Sequence, residues 1–365
     1  MEKRKFGCDR GPSIAGRVID HRYRSWKRRS SRTVVMVITQ TPLRISFVGG
    51  GTDFKEFYSI GGGAVISTAI DKYVYVIVKE RFDDKIVLSW TKKEIVESVD
   101  EIQHELIRES MRRTGITRGV EAITIADIPS EGSGLGSSSS LTVGLLNAFY
   151  AYQGELVSAE TLAREACEIE IEILRKPIGK QDQYIAAYGN LRKIIFGSDE
   201  SVRVEKLKIS EETKRMLNDN FMLFYTNRTR RSDGILLEQR ENVSNNVAIL
   251  QGMKAQVDAM ERIIENEHLG ALGSLLDEGW RLKKELASSI SSPEIDTMYR
   301  MAVDAGAGGG KIAGAGAGGF MLLYCELKDQ ENVRKALSGY REMPFRLERD
   351  GSKIIFNMRR DAWKI

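Results

Sequence analysis

"EGSGLGSSSS", residues 131–140, puts three glycines and then four serines between two apolar stretches. Before it, "GVEAITIADIP" (119–129) is rich in β-branched residues and ends at Pro129, as a strand would. After it, "LTVGLLNAFYAY" (141–152) runs apolar enough for a largely buried helix. A linker would lead into a new unit. This stretch reads instead as strand, tight turn and helix. The first N–H groups of such a helix lack intrahelical partners, and with the helix dipole they make an anion site. Gly132, Gly134 and Gly136 would let the backbone approach an anion and adopt positive φ. Hydroxyls of Ser137, Ser138, Ser139 and Ser140 would add donors, and one of them can reach a metal ion held on the anion. An ordinary capped, glycine-rich loop is the plain alternative.

A second cluster places eight glycines in residues 305–320. That density excludes a normal helix or strand interior and suggests a chain packed tightly on another backbone or a ligand; a floppy loop is the bland reading. Neither cluster fits the familiar nucleotide motifs. "GLGSSSS" lacks the lysine of a P-loop, and Lys311 is followed by Ile312. Gly314, Gly316 and Gly319 match the dinucleotide pattern formally, but "FMLLYCEL" after them reads as strand rather than helix.

Two further segments carry charge in apolar company. In "PLRISFVGGGTDF" (42–54), Arg44 sits in an apolar strand with Ser46 on the same face, and Asp53 follows three glycines. A charge there must be paired or face a cleft. A structural Arg–Asp salt bridge is one reading; a carboxylate accepting from sugar hydroxyls is another. In "KPIGKQDQYIAAYGN" (176–190), Lys180 and Asp182 follow a Pro–Gly turn, with Glu170 twelve residues before Asp182. One carboxylate near a hydroxyl and another on a metal is a common division of labour in phosphoryl transfer. A helix-surface role is the plain alternative for Glu170.

The 365 residues carry a net charge of +4, but eleven of the 55 basic groups and only three of the 51 acidic ones lie in residues 1–35. The remainder is mildly acidic and calls for no nucleic-acid partner. The head reads as a disordered or non-native extension, with Met36 a candidate true start. A tail touching nucleic acid or membrane is the rival. Cysteines at 8, 167 and 325 form no metal pattern or disulfide framework, and no apolar run suits a membrane span, so a cytoplasmic setting is expected. Strand patterns at 42–48, 64–79 and 85–90, a helix over 93–113, and a Ser158-capped helix precede a lobe boundary near 196–200. Strand 221–226, helical material over 233–288 and final strands near 344–348 and 353–357 follow. The mixture lacks a regular strand–helix repeat and reads as α+β.

The three motifs "PLRISFVGGGTDF", "PSEGSGLGSSSS" and "KIAGAGAGGFMLLY" (311–324), in this order, resemble those of the GHMP small-molecule kinases over about residues 37–360. The resemblance implies a two-lobed fold, with an N-terminal lobe (36–197) like ribosomal protein S5 domain 2 and a ferredoxin-like C-terminal lobe (198–365). It implies ATP and Mg²⁺ between the lobes. Within the family the motifs look most like the heptose 7-phosphate kinases, with fucokinases close. It makes Gly132, Gly134, Leu135, Gly136, Ser137, Ser138 and Ser139 the nucleotide loop, Ser138 and Glu170 the metal side, and Asp182 and Arg44 the catalytic pair. Asp53, Gly50, Gly51, Thr52, Gly316 and Gly318 fall to the substrate, with Gly314 in the same third motif. A sugar phosphate needs a second anion site, for which Lys180, Arg228 and Arg231 are candidates; a solvated turn is the alternative for the arginines. Two departures stand out: Ala317 where glycine is commoner, and Arg175 in place of a usual glycine. The expected partner is a small sugar phosphate, with no nucleic acid or membrane; a homodimer stays open. A catalytically silent sugar sensor is the rival from another class.

Overall fold

The computed structural model describes residues 34–128, 132–229 and 233–360. The basic head up to residue 33 and Arg231 lie outside the described residues. Eleven strands are described: β1 Val34–Val48, β2 Gly63–Glu80, β3 Ile86–Ser89, β4 Lys93–Val96, β5 Val120–Ala126, β6 Leu191–Phe196, β7 Val202–Lys206, β8 Phe221–Tyr225, β9 Gly309–Ile312, β10 Phe320–Tyr324 and β11 Lys353–Arg360. The helices are α1 Lys55–Gly61, α2 Glu105–Thr114, α3 Ser137–Gln153, α4 Ala159–Cys167, α5 Gln181–Tyr188, α6 Glu211–Asn220, α7 Asp233–Glu241, α8 Val247–Glu265, α9 Leu272–Glu285, α10 Pro293–Asp304 and α11 Leu327–Ala336.

The long strand β2 is the spine of the first sheet. One edge pairs antiparallel with β1, from Met36–Lys79 to Val48–Ile66. The other edge is shared: Gly63–Thr68 pairs with β6, and Val74–Glu80 pairs with β5. Pro42 lies inside β1, where it cannot donate to the ladder. The register shifts between Pro42 and Leu43, which is how a strand accommodates a proline. The first half of β2 is buried on both faces. Val65 packs with Val143 and Leu146 of α3, while Ala64 and Ile66 face Val257 and Met260 of α8. The second lobe thus docks on the segments of β1 and β2 that carry the charged motif.

The second sheet runs β8–β10–β9, all antiparallel. Residues 341–343 bond to the free edge of β8, through Tyr225 N–H to the Arg341 carbonyl and Met343 N–H to the Leu223 carbonyl. With that edge segment the spatial order is the split-βαβ arrangement of a ferredoxin-like lobe. The two-lobed α+β expectation therefore holds.

Several boundaries differ from the sequence reading. Residues 93–103 form no α-helix; Val99–Glu101 makes a single 3-10 turn. Lys93–Val96 pairs with β3, Ile95 is 58% exposed, and the helix begins only after His104, whose ring caps Ile107 N–H. Local periodicity gave way there to hairpin pairing. The boundary expected near 197 falls within the paired strands β6 and β7, and β11 returns to pair with β1, so residues 198–206 and 353–360 belong to the first sheet. Residues 344–348 form no strand and contribute one bridge, Leu347 to Ile70. Among the described residues no helix is long and apolar enough to cross a membrane.

Candidate active site

The glycine–serine stretch folds as a turn leading into α3. Gly132, Gly134 and Gly136 all have positive φ, and Ser137 opens the helix. The second glycine cluster lies directly against it. A Cβ on Gly134 would stand 2.4 Å from the Ala313 carbonyl oxygen, and one on Gly314 would stand 2.6 Å from Gly134 Cα. The two clusters therefore meet backbone to backbone, and β10 follows the second as a strand.

Arg44 of β1 ties this double loop to the acidic side of the site. Its Nε and Nη2 donate to the two oxygens of Asp182 at 2.7 and 2.6 Å, and its Nη1 donates to the Gly134 carbonyl at 2.6 Å. Its own N–H reaches the Leu135 carbonyl at 3.0 Å. Such a fork fixes a planar carboxylate in position and orientation. Arg44 is buried, whereas the Asp182 side chain keeps 22% exposure toward the cavity.

Asp53 lies beside this pair. It accepts from Gly51 N–H at 3.0 Å and from Gln181 Nε2 at 3.1 Å. Burial pushes its carboxyl above the usual range and the negative charge of Asp182 adds to this, against the pull of the Gly51 and Gln181 N–H groups. Ser46, Gly50 and Gly51 line the same cavity. The Ser46 hydroxyl and Gln181 Oε1 are buried there without a partner among the described residues.

Glu170 sits behind the start of α3, fully buried, in a π-helical turn Glu168–Ile173 that follows α4. Its oxygens accept from Ser138 Oγ at 2.9 Å, Ser139 Oγ at 2.8 Å and Gln183 Nε2 at 2.6 Å. Burial pushes its carboxyl up, opposed by Lys176 and these donors. Ser138 donates its hydroxyl hydrogen bond to Glu170, which leaves its oxygen lone pairs free, and it is the exposed residue of an otherwise buried run of serines. A hard cation with oxygen ligands fits that pair of groups.

The remaining expected residues fall elsewhere. Thr52 is fully buried and spends its hydroxyl on Gly49, Ala64 O and Ala64 N–H. Lys180 lies over the Tyr58 ring, 4.9 Å from its centre. Arg228 pairs with Glu294 at 2.6 Å. Gly316 packs on the backbone of Ile290 and Gly318 on that of Arg228. Two residues that sequence reasoning did not assign, Lys283 of α9 and Lys311 of β9, reach the cavity that Arg44 and Asp53 line. Lys311 is visible as the first residue of the third motif; Lys283 has no local signal.

Residues 94–190 match the GHMP kinases N terminal domain, and residues 259–342 match GHMP kinases C terminal. Over 316 residues the chain is 30% identical to a D-glycero-alpha-D-manno-heptose 7-phosphate kinase of Campylobacter jejuni, covering 82% of this chain and 92% of that one. The chain belongs to the GHMP kinases. It is also 28% identical over 344 residues to an L-fucokinase/L-fucose-1-P guanylyltransferase of Bacteroides fragilis, of which the match spans 36%. Among solved structures, a D-glycero-D-manno-heptose 1-phosphate kinase from Bacteroides thetaiotaomicron superposes with a TM-score of 0.74 at 25% identity, over 90% of this chain and 99% of that one.

Both departures from the family pattern sit in left-handed backbone: Arg175 at φ 56° and Ala317 at φ 61°. A side chain is strained there where glycine is not. Because Arg175 is exposed, Arg175→Gly should stabilise this GHMP kinase by about 0.5–1 kcal/mol, read as a higher urea midpoint with unchanged slope.

Proposed function

We propose that the protein is an ATP-dependent sugar kinase that phosphorylates the anomeric C1 hydroxyl of D-glycero-D-manno-heptose 7-phosphate. One observation carries the reading: the Arg44 guanidinium holds Asp182 by a two-bond fork and at the same time bonds the carbonyl of Gly134 in the glycine loop. An acceptor-facing carboxylate and a helix-start anion site are thereby locked side by side. The heptose kinase relative, matched along nearly its whole length, supports the choice of sugar.

In this reading the ATP phosphates lie on the N–H groups from Gly134 to Ser139. The acceptor lies in the cavity of Asp53, Ser46 and Gln181. The C1 oxygen attacks the γ-phosphorus, the bond to the ADP oxygen breaks, and the hydroxyl proton passes to Asp182. An anomeric hydroxyl is more acidic than an ordinary alcohol, so Asp182 needs mainly to orient it and take the proton late. Catalysis is then mostly positioning and charge neutralisation. Ser138 and Glu170 would hold Mg²⁺, which when bound neutralises phosphate charge. Glu170→Gln should raise the Mg²⁺ concentration needed for half-maximal rate by about 10–100-fold. An unchanged Mg²⁺ titration would remove Glu170 from the metal side.

The test of the function is a panel of heptose 7-phosphate, fucose, galactose and mevalonate with Mg-ATP, read by ADP release and by phosphorus NMR of the product. A heptose 1,7-bisphosphate is expected. Preferred transfer to fucose would move the enzyme to the fucokinase-like reading, and no transfer to any acceptor would favour a silent sugar sensor.

A further inference from the structure

Two buried cations have no part in the transfer described above. Lys283 is 7% exposed and Lys311 is 5% exposed. Lys311 Nζ donates to the Phe47 carbonyl at 2.9 Å. Lys283 Nζ donates to the carbonyls of Gly314 and Ile312. All these acceptors are neutral, and among the described residues neither ammonium pairs with a carboxylate. A buried ammonium without a counter-charge is expensive, and each carries three donors, of which Lys311 spends one.

Both lysines line the cavity that also holds Asp53 and the unpartnered Ser46 Oγ and Gln181 Oε1. Arg44 and Asp182 cancel each other as a fork. That leaves two lysines against the single carboxylate of Asp53. None of Ser137, Ser138 and Ser139 faces this cavity, so the lysines lie on the acceptor side rather than at the start of α3. Two of the basic residues expected to form a second anion site are engaged elsewhere, Lys180 over Tyr58 and Arg228 with Glu294.

We propose that Lys283 and Lys311 seat a phosphate carried by the acceptor, so that the enzyme takes a phosphorylated sugar in preference to a neutral one. This rests on the kinase reading and gives it a substrate class independent of sequence similarity. Burial and neighbouring positive charge disfavour the charged form of both lysines. Burial pulls Lys283 well below its ordinary value, with the positive charge of Lys311 adding to this, and burial followed by Arg44 pushes Lys311 down to about 8. A phosphate between them reverses that pressure and draws protons onto the pair.

The test compares Lys283→Met and Lys311→Met with the parent, using heptose 7-phosphate, the same heptose without its phosphate, and ATP. Methionine keeps the apolar stem and removes the charge. KM for the phosphorylated sugar should rise about 10–100-fold, the size of a hydrogen bond to a charged group. The loss in kcat/KM should be at least about tenfold larger for the phosphorylated sugar than for the unphosphorylated one, a ratio in which any effect of the substitutions shared by both sugars cancels. Equal losses on both sugars would make the lysines structural braces and overturn the proposal. A rise in KM for ATP alone would assign the phosphate to the nucleotide and overturn it too. Should the variants fail to fold, calorimetry of the parent compares binding of heptose 7-phosphate with that of the unphosphorylated heptose; tighter binding of the phosphorylated sugar is expected, and equal affinity would overturn the seat. Absence of transfer to any sugar would sink the kinase reading alone, since this binding measurement scores the phosphate seat without turnover.

Discussion

Asp182→Asn should lower kcat by about 10²–10⁴ while ATP affinity changes little. The carboxylate gives both oxygens to Arg44 and still has lone pairs toward the cavity, where its 22% side-chain exposure lies. Asparagine keeps the shape but not the chemistry. One of its two heavy atoms becomes an NH₂ group, which would face an Arg44 N–H donor, so the fork loses a bond and the acceptor hydroxyl loses its proton acceptor. Arg44 is almost fully buried and would keep only half its pairing. A stability loss of about 1–3 kcal/mol is therefore expected alongside the rate loss. Three measurements separate these effects: kcat with saturating substrates, ATP binding by calorimetry, and the thermal midpoint. If turnover stays at the parent level, Asp182 takes no part in the transfer. If ATP binding falls as far as kcat, the residue braces the glycine loop through Arg44 rather than acting on the acceptor.

The site was legible where local sequence forces local geometry. A strand, three glycines at alternate positions and a run of serines admit few structures besides a turn and a helix start, and that is what forms. Ser158 as a cap was equally local: its hydroxyl accepts from Thr161 N–H. Arg44 and Asp182 were each recognisable as charges in apolar surroundings, but their pairing spans 138 residues and only the fold brings it about. Lys283 was not legible at all. It stands next to Lys284 in the last turn of α9, in the run "RLKKEL", which looks like a solvated helix end. Packing of α9 on β9 buries Lys283 and leaves Lys284 half-exposed beside Asp296. The misread helix over 93–103 has the same origin in reverse. Ile95, Val99 and Ile102 are spaced like a helix face, yet Lys93–Val96 is held by pairing with β3, which is nonlocal. Gln181 was passed over between two charged neighbours, although its amide is the group that reaches Asp53.

The contact between the two glycine clusters sets up the other large effect. Gly134→Ala and Gly314→Ala each add one carbon where there is no room for it. At Gly134 it would lie 2.4 Å from the Ala313 carbonyl oxygen, at φ +73°; at Gly314, 2.6 Å from Gly134 Cα, at φ +67°. The conformation alone costs an alanine about 1–2 kcal/mol. The clash adds to this, and because both neighbours are backbone, no side chain can swing aside. The loops must part instead. Arg44 is bonded to the Gly134 carbonyl, so a displaced loop drags the guanidinium and with it Asp182. A misplacement of about 1 Å between reacting groups can cost about 10²-fold in rate. Each variant should therefore lose about that factor in kcat/KM, together with a lower thermal midpoint. Gly61→Ala is the control. It ends α1, a Cβ there meets nothing within 4 Å, and its φ is not positive. That change should leave activity at the parent level and stability equal or slightly higher, since alanine is the better helix former. Parent-like rates in both Gly134→Ala and Gly314→Ala would mean the clusters separate without consequence, and the link from the glycine loop through Arg44 to the acceptor would fall.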